Sequence, residues 1–90
     1  MAVRPEGPRV VVYTTDACRW CEHAKSLLAS RGIPFREEWI PRTPEGKARL
    51  VAVVPGARSF PQIVIDGEPV GGFGDLLERD RDGRLAELGR

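Results

Sequence analysis

The chain has 90 residues, of which 41% are hydrophobic and 30% charged, and its formal net charge is +1. That length supports one compact core and not two, so a single domain over 1–90 is expected, with 1–8 as an irregular lead-in. The charge balance offers no bulk attraction to nucleic acid or an anionic membrane, and no apolar run approaches the ~18 residues of a membrane span. The first residues lack the apolar centre of a secretion signal, which makes a cytoplasmic, reducing setting the expectation.

In chain order, Arg9 to Thr14 reads as a first strand around the β-branched and aromatic run Val10 to Tyr13, buried on both faces. Thr14, Thr15 and Asp16 then supply turn or capping chemistry. A helix follows from about Cys18 to Ser30, with Ala24, Leu27 and Leu28 at helical spacing, Gly32 suited to its C-terminal cap and Pro34 barring continuation. Phe35 to Ile40 is a second strand in which Trp39 suits core or surface equally, and Pro41 ends it. Thr43 is the expected N-cap of a second helix that begins with Pro44 and runs to about Val53. Leu50, Val51, Val53 and Val54 form its apolar face, and Pro55-Gly56 closes it. Ser59 to Ile65 is a loop feeding a short strand, and Asp66-Gly67 is a two-residue hairpin signal. The partner strand, Pro69 to Gly71, belongs near an edge because Pro69 cannot donate to a ladder. A last helix runs from Phe73 or Asp75 through Asp80, Gly83 breaks it, and a terminal turn covers Leu85 to Leu88. The order β-α-β-α-β-β-α predicts an α/β fold, a small mixed sheet flanked by helices.

Both cysteines of the chain lie in Cys18-Arg19-Trp20-Cys21, at the passage from the first strand into the first helix. Free backbone N–H groups and the positive dipole end of a helix favour an anion there, so Cys18 is the expected thiolate nucleophile. Cys21, three residues on and nearly on the same helix face, is placed to attack a mixed disulfide formed on Cys18. A zinc site would need four ligands, and His23 and Asp16 are the remaining candidates beside the pair. A purely structural disulfide across so short a loop would remove little unfolded-state entropy. Two unrelated buried thiols are the third alternative. His23, two residues past Cys21, is expected to be exposed and not catalytic.

Val12-Tyr13-Thr14 ahead of the tetrad, then Ser59-Phe60-Pro61-Gln62, then Ile65-Asp66-Gly67 followed by Gly71-Gly72, form a series that resembles the glutaredoxin family over nearly the whole chain. The resemblance implies a thioredoxin-like fold and glutathione as reductant, with no metal. It implies that Pro61 is a cis-proline facing the active-site cysteine, and that the backbone of Phe60 pairs with the cysteinyl part of glutathione as an added strand would. It further implies that backbone N–H groups at Gly72, Phe73 and Gly74 hold the γ-glutamyl carboxylate. Three positions depart from the family. Thr15 stands where many members place a lysine for the glycyl carboxylate, with Arg19, Arg42 and Arg58 as possible substitutes. Asp75 lies one place beyond the usual acid that meets the glutathione amino group. Arg19 and Trp20 replace Pro-Tyr, which leaves a cation near Cys18 and an aromatic wall beside its sulfur.

The resemblance thus implies a glutathione-dependent thiol-disulfide oxidoreductase, monomeric, reducing protein disulfides and protein-glutathione mixed disulfides in electron transport and cell redox homeostasis. Gly72-Phe73 resembles a related group that donates electrons to ribonucleotide reductase and is recycled by thioredoxin reductase. A third reading is a dimer holding a [2Fe-2S] cluster on two Cys18 thiolates and two glutathione sulfurs.

Overall fold

The computed structural model describes residues 8–89, so all of the expected lead-in except Pro8 lies outside the described residues. Strand β1 (Val10–Thr14) is followed by helix α1 (Arg19–Ser30), strand β2 (Phe35–Trp39), helix α2 (Pro44–Val53), strands β3 (Gln62–Ile65) and β4 (Glu68–Gly71), helix α3 (Phe73–Arg81) and a 3-10 turn, Ala86–Gly89. The four strands form one sheet in the order β2-β1-β3-β4. β1 and β2 are parallel, joined by the α1 crossover, whereas β1–β3 and β3–β4 are antiparallel. Among the described residues no helix is long and apolar enough to cross a membrane.

The period of two along a strand divides the core into two layers. Val10 and Val12 of β1 and Ile63 and Ile65 of β3 point to the side covered by α1 and α3, where they pack with Ala24, Leu28, Leu76 and Leu85. Val64 points the other way and meets Leu50 and Val54 at α2, with Val11, Tyr13 and Phe60 partly buried against them. β1 is therefore sealed on its α1 face and only half covered on its α2 face, a correction to the expectation of burial on both.

Local chemistry explains the element ends. Thr43 caps α2 by accepting a hydrogen bond from the Gly46 N–H at 3.0 Å, with Pro44 in the first turn as expected. The hairpin at Asp66-Gly67 has φ of +54° and +82°, the paired left-handed geometry of a type I′ turn, which Gly tolerates freely and Asp better than most residues. β4 lies at the sheet edge, where Pro69 leaves no interior ladder broken.

Several boundaries and faces need correction. β2 stops at Trp39, and Ile40, though outside it, is buried and donates its N–H to the Thr14 carbonyl at 2.8 Å. Trp39 is a surface residue whose Nε1 donates to the Asp16 carboxylate at 3.0 Å. Leu50 of α2 and Val54, its C-cap, face the core while Val53 is exposed, because α2 covers only part of its face of the sheet and Val54 has left the helical conformation. α3 extends to Arg81. α1 begins at Arg19, which makes Cys18 its N-cap and not a member of its first turn.

Candidate active site

The loop between β1 and α1 carries Cys18. Ala17 before it adopts a left-handed φ of +51°, unusual for a residue with a Cβ, and Cys18 returns to an extended conformation as the N-cap. In that position the Cys18 Sγ accepts a hydrogen bond from the Cys21 N–H at 3.2 Å. Serine and threonine oxygens play this part at ordinary helix starts. In a reduced pair, a donor aimed at sulfur would favour a thiolate over a thiol. Cys18 and Cys21 form a disulfide, with their Cα atoms 5.2 Å apart. Cys18 is half-buried and Cys21 only 1% exposed. Cys21 is thus the more deeply buried of the pair.

Beneath this loop Thr15 is 7% exposed, and its hydroxyl donates to the Ile40 carbonyl at 2.7 Å. The residue expected at a ligand carboxylate is instead a buried tie between the active-site loop and the end of β2. Arg42 braces the same loop from the other side. Its guanidinium donates to the Asp16 carbonyl at 3.1 and 3.3 Å and lies 6.0 Å from the centre of the Phe60 ring. Of the three arginines named from sequence, Arg42 and Arg58 line a cavity of 460 Å³ beside Phe60, together with Lys47. Arg19 is exposed on the first turn of α1 and does not line it.

The bond between Phe60 and Pro61 is cis, as the resemblance implied. Gln62 holds the preceding loop by donating from Nε2 to the Ser59 carbonyl at 2.9 Å. Pro61 is buried and adjoins the start of α3, since a methyl group built on Gly72 would stand 3.6 Å from the Pro61 carbonyl oxygen. At that helix start the Gly72 N–H donates to the Asp75 carboxylate at 3.0 Å. Gly71, at φ +123°, passes so close to Asp75 that any Cβ would collide with that side chain. Asp75 therefore caps its own helix with one oxygen. The N–H groups of Phe73 and Gly74, in the first turn, have no intrahelical carbonyl to serve them.

An aromatic cluster ties the two helix starts together. Trp20, 53% exposed, stacks on Phe73 with ring centres 5.7 Å apart, and His23 lies 5.2 Å from Trp20 and 5.8 Å from Phe73. His23 is exposed, as read from sequence, but its part in this cluster was missed. Its i, i+3 spacing from Trp20 was the available signal. The structure thus gathers Cys18, Cys21, Trp20, Phe73, Gly72 and Pro61 at one end of the sheet, and turns the Thr15 hydroxyl away from it. Among the described residues no group of three or more His, Cys, Asp or Glu side chains could hold a metal ion.

A second network lies deeper along α1. The Thr14 hydroxyl donates to Glu37 at 2.7 Å, and Lys25 bridges Glu37 at 3.1 Å and Glu22 at 3.0 Å. The Thr14 hydroxyl first, and the Lys25 ammonium with it, hold the Glu37 carboxyl below its ordinary range against the opposing effect of burial. The same acids raise Lys25.

Residues 10–70 match the family model described as Glutaredoxin. The chain is 42% identical over 81 residues to a glutaredoxin of Pseudomonas aeruginosa, a match that covers 90% of this chain and 95% of that protein. It is 35% identical over 79 residues to glutaredoxin 3 of Escherichia coli, covering 88% and 94%. Among solved structures, the glutaredoxin of Brucella melitensis superposes with a TM-score of 0.75 at 37% identity, covering 93% of this chain and 90% of that one. A buckwheat glutaredoxin-glutathione complex superposes with a TM-score of 0.76 at 26% identity, covering 89% and 74%.

Proposed function

Since this chain belongs to the glutaredoxin family, of thioredoxin fold, we propose that it is a glutathione-dependent oxidoreductase acting on protein disulfides and protein-glutathione mixed disulfides. The observation that carries the reading is the sulfur of Cys18 at the head of α1, accepting the Cys21 N–H, with Cys21 buried at bonding distance behind it. In the reduced protein the Cys18 thiolate attacks a substrate disulfide, forming a mixed disulfide and releasing one substrate sulfur as thiolate. Cys21, after losing its proton, attacks Cys18 and expels the second sulfur, so the pair is oxidised by two electrons as the substrate is reduced. Two molecules of glutathione reverse this, leaving glutathione disulfide. With a glutathionylated protein, Cys18 suffices: it takes the glutathionyl group, and a second glutathione removes it.

Glutathione is assigned to the groove between the two helix starts. Its cysteinyl residue pairs with the Phe60 backbone beside Pro61, and its γ-glutamyl carboxylate takes the N–H groups of Phe73 and Gly74, with Gly72 allowing the approach. The second oxygen of Asp75 faces the ammonium, and Trp20 forms the wall beside the sulfur. Because the Thr15 hydroxyl is engaged by Ile40, Arg42 is the residue assigned to the glycyl carboxylate. The buckwheat relative, a glutaredoxin-glutathione complex, supports this assignment. The chain is read as one domain, a cytoplasmic monomer whose partners are glutathione and disulfide-bearing proteins.

The test is turnover of a small glutathione mixed disulfide with glutathione and glutathione reductase, run beside a reaction recycled by thioredoxin reductase. Cycling with glutathione is expected. Rapid cycling with thioredoxin reductase and none with glutathione would replace this reading with that of an electron donor to ribonucleotide reductase.

A further inference from the structure

The cavity beside Phe60 is wider and more cationic than the end of one tripeptide requires. Its 460 Å³ is rimmed by Arg42, Lys47 and Arg58 over an apolar floor that includes Leu50, Ala57 and Phe60, and no acidic residue lines it. Elsewhere on the molecule Arg9, Lys25, Arg31, Arg36 and Arg84 are each paired with a carboxylate. Among the described residues the three rim cations form no such pair. Arg19, Arg49, Arg79 and Arg81 are likewise outside such pairs among the described residues, so what distinguishes the rim is three cations gathered round one cavity with no acid in its lining. In a concave site with a low-dielectric floor, three unneutralised charges focus a positive potential that the net charge of +1 conceals.

We propose that this cavity is a docking subsite for an acidic segment of protein disulfide substrates, the stretch that follows the reactive cysteine. The proposal rests on the function assigned above in one respect, that the substrate lies along the Phe60 edge. That edge has the start of α3 at one end, where Gly72 adjoins Pro61, and the cavity at the other, where Arg42 lies over Phe60. With the γ-glutamyl group at the α3 end, the chain direction carries everything C-terminal to the cysteine toward the cavity. Glutathione ends there at one carboxylate. A protein substrate continues, and its next acidic side chains come to Lys47 and Arg58. Docking alters the encounter and the residence of the substrate and leaves the electron balance unchanged: the Cys18–Cys21 dithiol still gives two electrons to the substrate disulfide.

The experiment uses the whole protein, reduced with dithiothreitol and freed of it, with no glutathione present. Its single-turnover reaction is followed by acid quench and mass spectrometry on disulfide-bridged peptides in which Glu-Glu, Gln-Gln or Lys-Lys follows the reactive cysteine. The Glu-Glu peptide is expected to react about three- to tenfold faster than the Gln-Gln peptide at low salt, with Lys-Lys slowest and the spread closing as salt rises. Lys47→Glu combined with Arg58→Glu should reverse the order of the three peptides, while the rate on a small glutathione mixed disulfide, which brings one carboxylate to the cavity, falls severalfold less than the rate on the Glu-Glu peptide. Should the double variant fail to fold, the single changes Lys47→Gln and Arg58→Gln should each narrow the spread. Equal rates for the three peptides on the parent protein overturn the proposal. So does a variant that slows the small glutathione mixed disulfide as much as the Glu-Glu peptide, because the cavity would then serve glutathione alone. Since the peptide reaction contains no glutathione, failure of the glutathione reading appears separately, in the coupled assay.

Discussion

At the scale of single residues, the two cysteines differ in exposure by design of the helix start. Cys18 is half-buried at the N-cap, whereas Cys21 sits one turn inward at 1% exposure. In the reduced protein at mildly acidic pH, iodoacetamide should therefore label Cys18 much faster, and peptide mapping showing Cys21 labelled first would invert the roles. Cys18→Ser should abolish all thiol transfer. Cys21→Ser should stop reduction of protein disulfides yet keep turnover of glutathione mixed disulfides, which need one thiol. Thr15 invites a second measurement because its hydroxyl serves the buried Ile40 carbonyl. Thr15→Val preserves shape and leaves that acceptor unpaired, at a cost of about 1–3 kcal/mol in urea unfolding. The Michaelis constant for glutathione should not move. A raised constant at unchanged stability would make Thr15 a ligand contact after all.

At the scale of elements, α1 must be held firmly against the sheet if Cys18 and Cys21 are to keep their geometry. Part of that hold is ionic: Lys25 of α1 meets Glu37 of β2, which also accepts the Thr14 hydroxyl of β1. These contacts depress the Glu37 carboxyl in the folded state relative to the 4.5 of an ordinary glutamate. A carboxyl depressed by folding stabilises the protein fully above its unfolded value, and that contribution is lost as pH falls through the lower folded value. Urea midpoints of the parent and of Glu37→Gln should accordingly differ most near neutral pH and converge at acid pH, below the ordinary glutamate range. Glu37 is partly solvated, so the difference should be modest and reduced by salt. A gap that persists unchanged into acid would assign the effect to packing and not to charge.

At the scale of the whole molecule, the sheet separates two unequal faces. α1 and α3 seal one, while α2 covers only part of the other and leaves the cationic cavity beside Phe60. The carrier reading, a [2Fe-2S] dimer, is decided at this scale too, since it needs two chains. Each chain would supply Cys18 alone, because Cys21 is buried, and glutathione would supply the other two thiolates. Trp20, two residues past Cys18, is exposed and stacked on Phe73, a bulky ring on the part of the surface that carries Cys18. Anaerobic reconstitution with iron, sulfide and glutathione should leave the protein colourless and monomeric on a sizing column. A brown dimer would establish the carrier reading.

The amino-acid sequence by itself determined what depends on near neighbours along the chain. Thr43-Pro44 starts α2, Asp66-Gly67 turns the hairpin, Gly32 ends α1 and Pro69 marks an edge, because each acts through its own backbone torsions or a partner within a few residues. The spacing of Cys18 and Cys21 at a helix start belongs to the same class. Likeness to a family, and not local physics, supplied the cis bond at Pro61. Only the tertiary structure decided where side chains went once distant elements had met. Val53 turns to solvent and Val54 to the core because α2 covers just part of its face of the sheet. Thr15 closes on Ile40, Arg42 reaches Asp16 and Phe60, and Trp20 settles on Phe73 across 18 to 53 positions of sequence. Those partners are brought together by sheet order, and nothing in the spacing of residues along the chain specifies them.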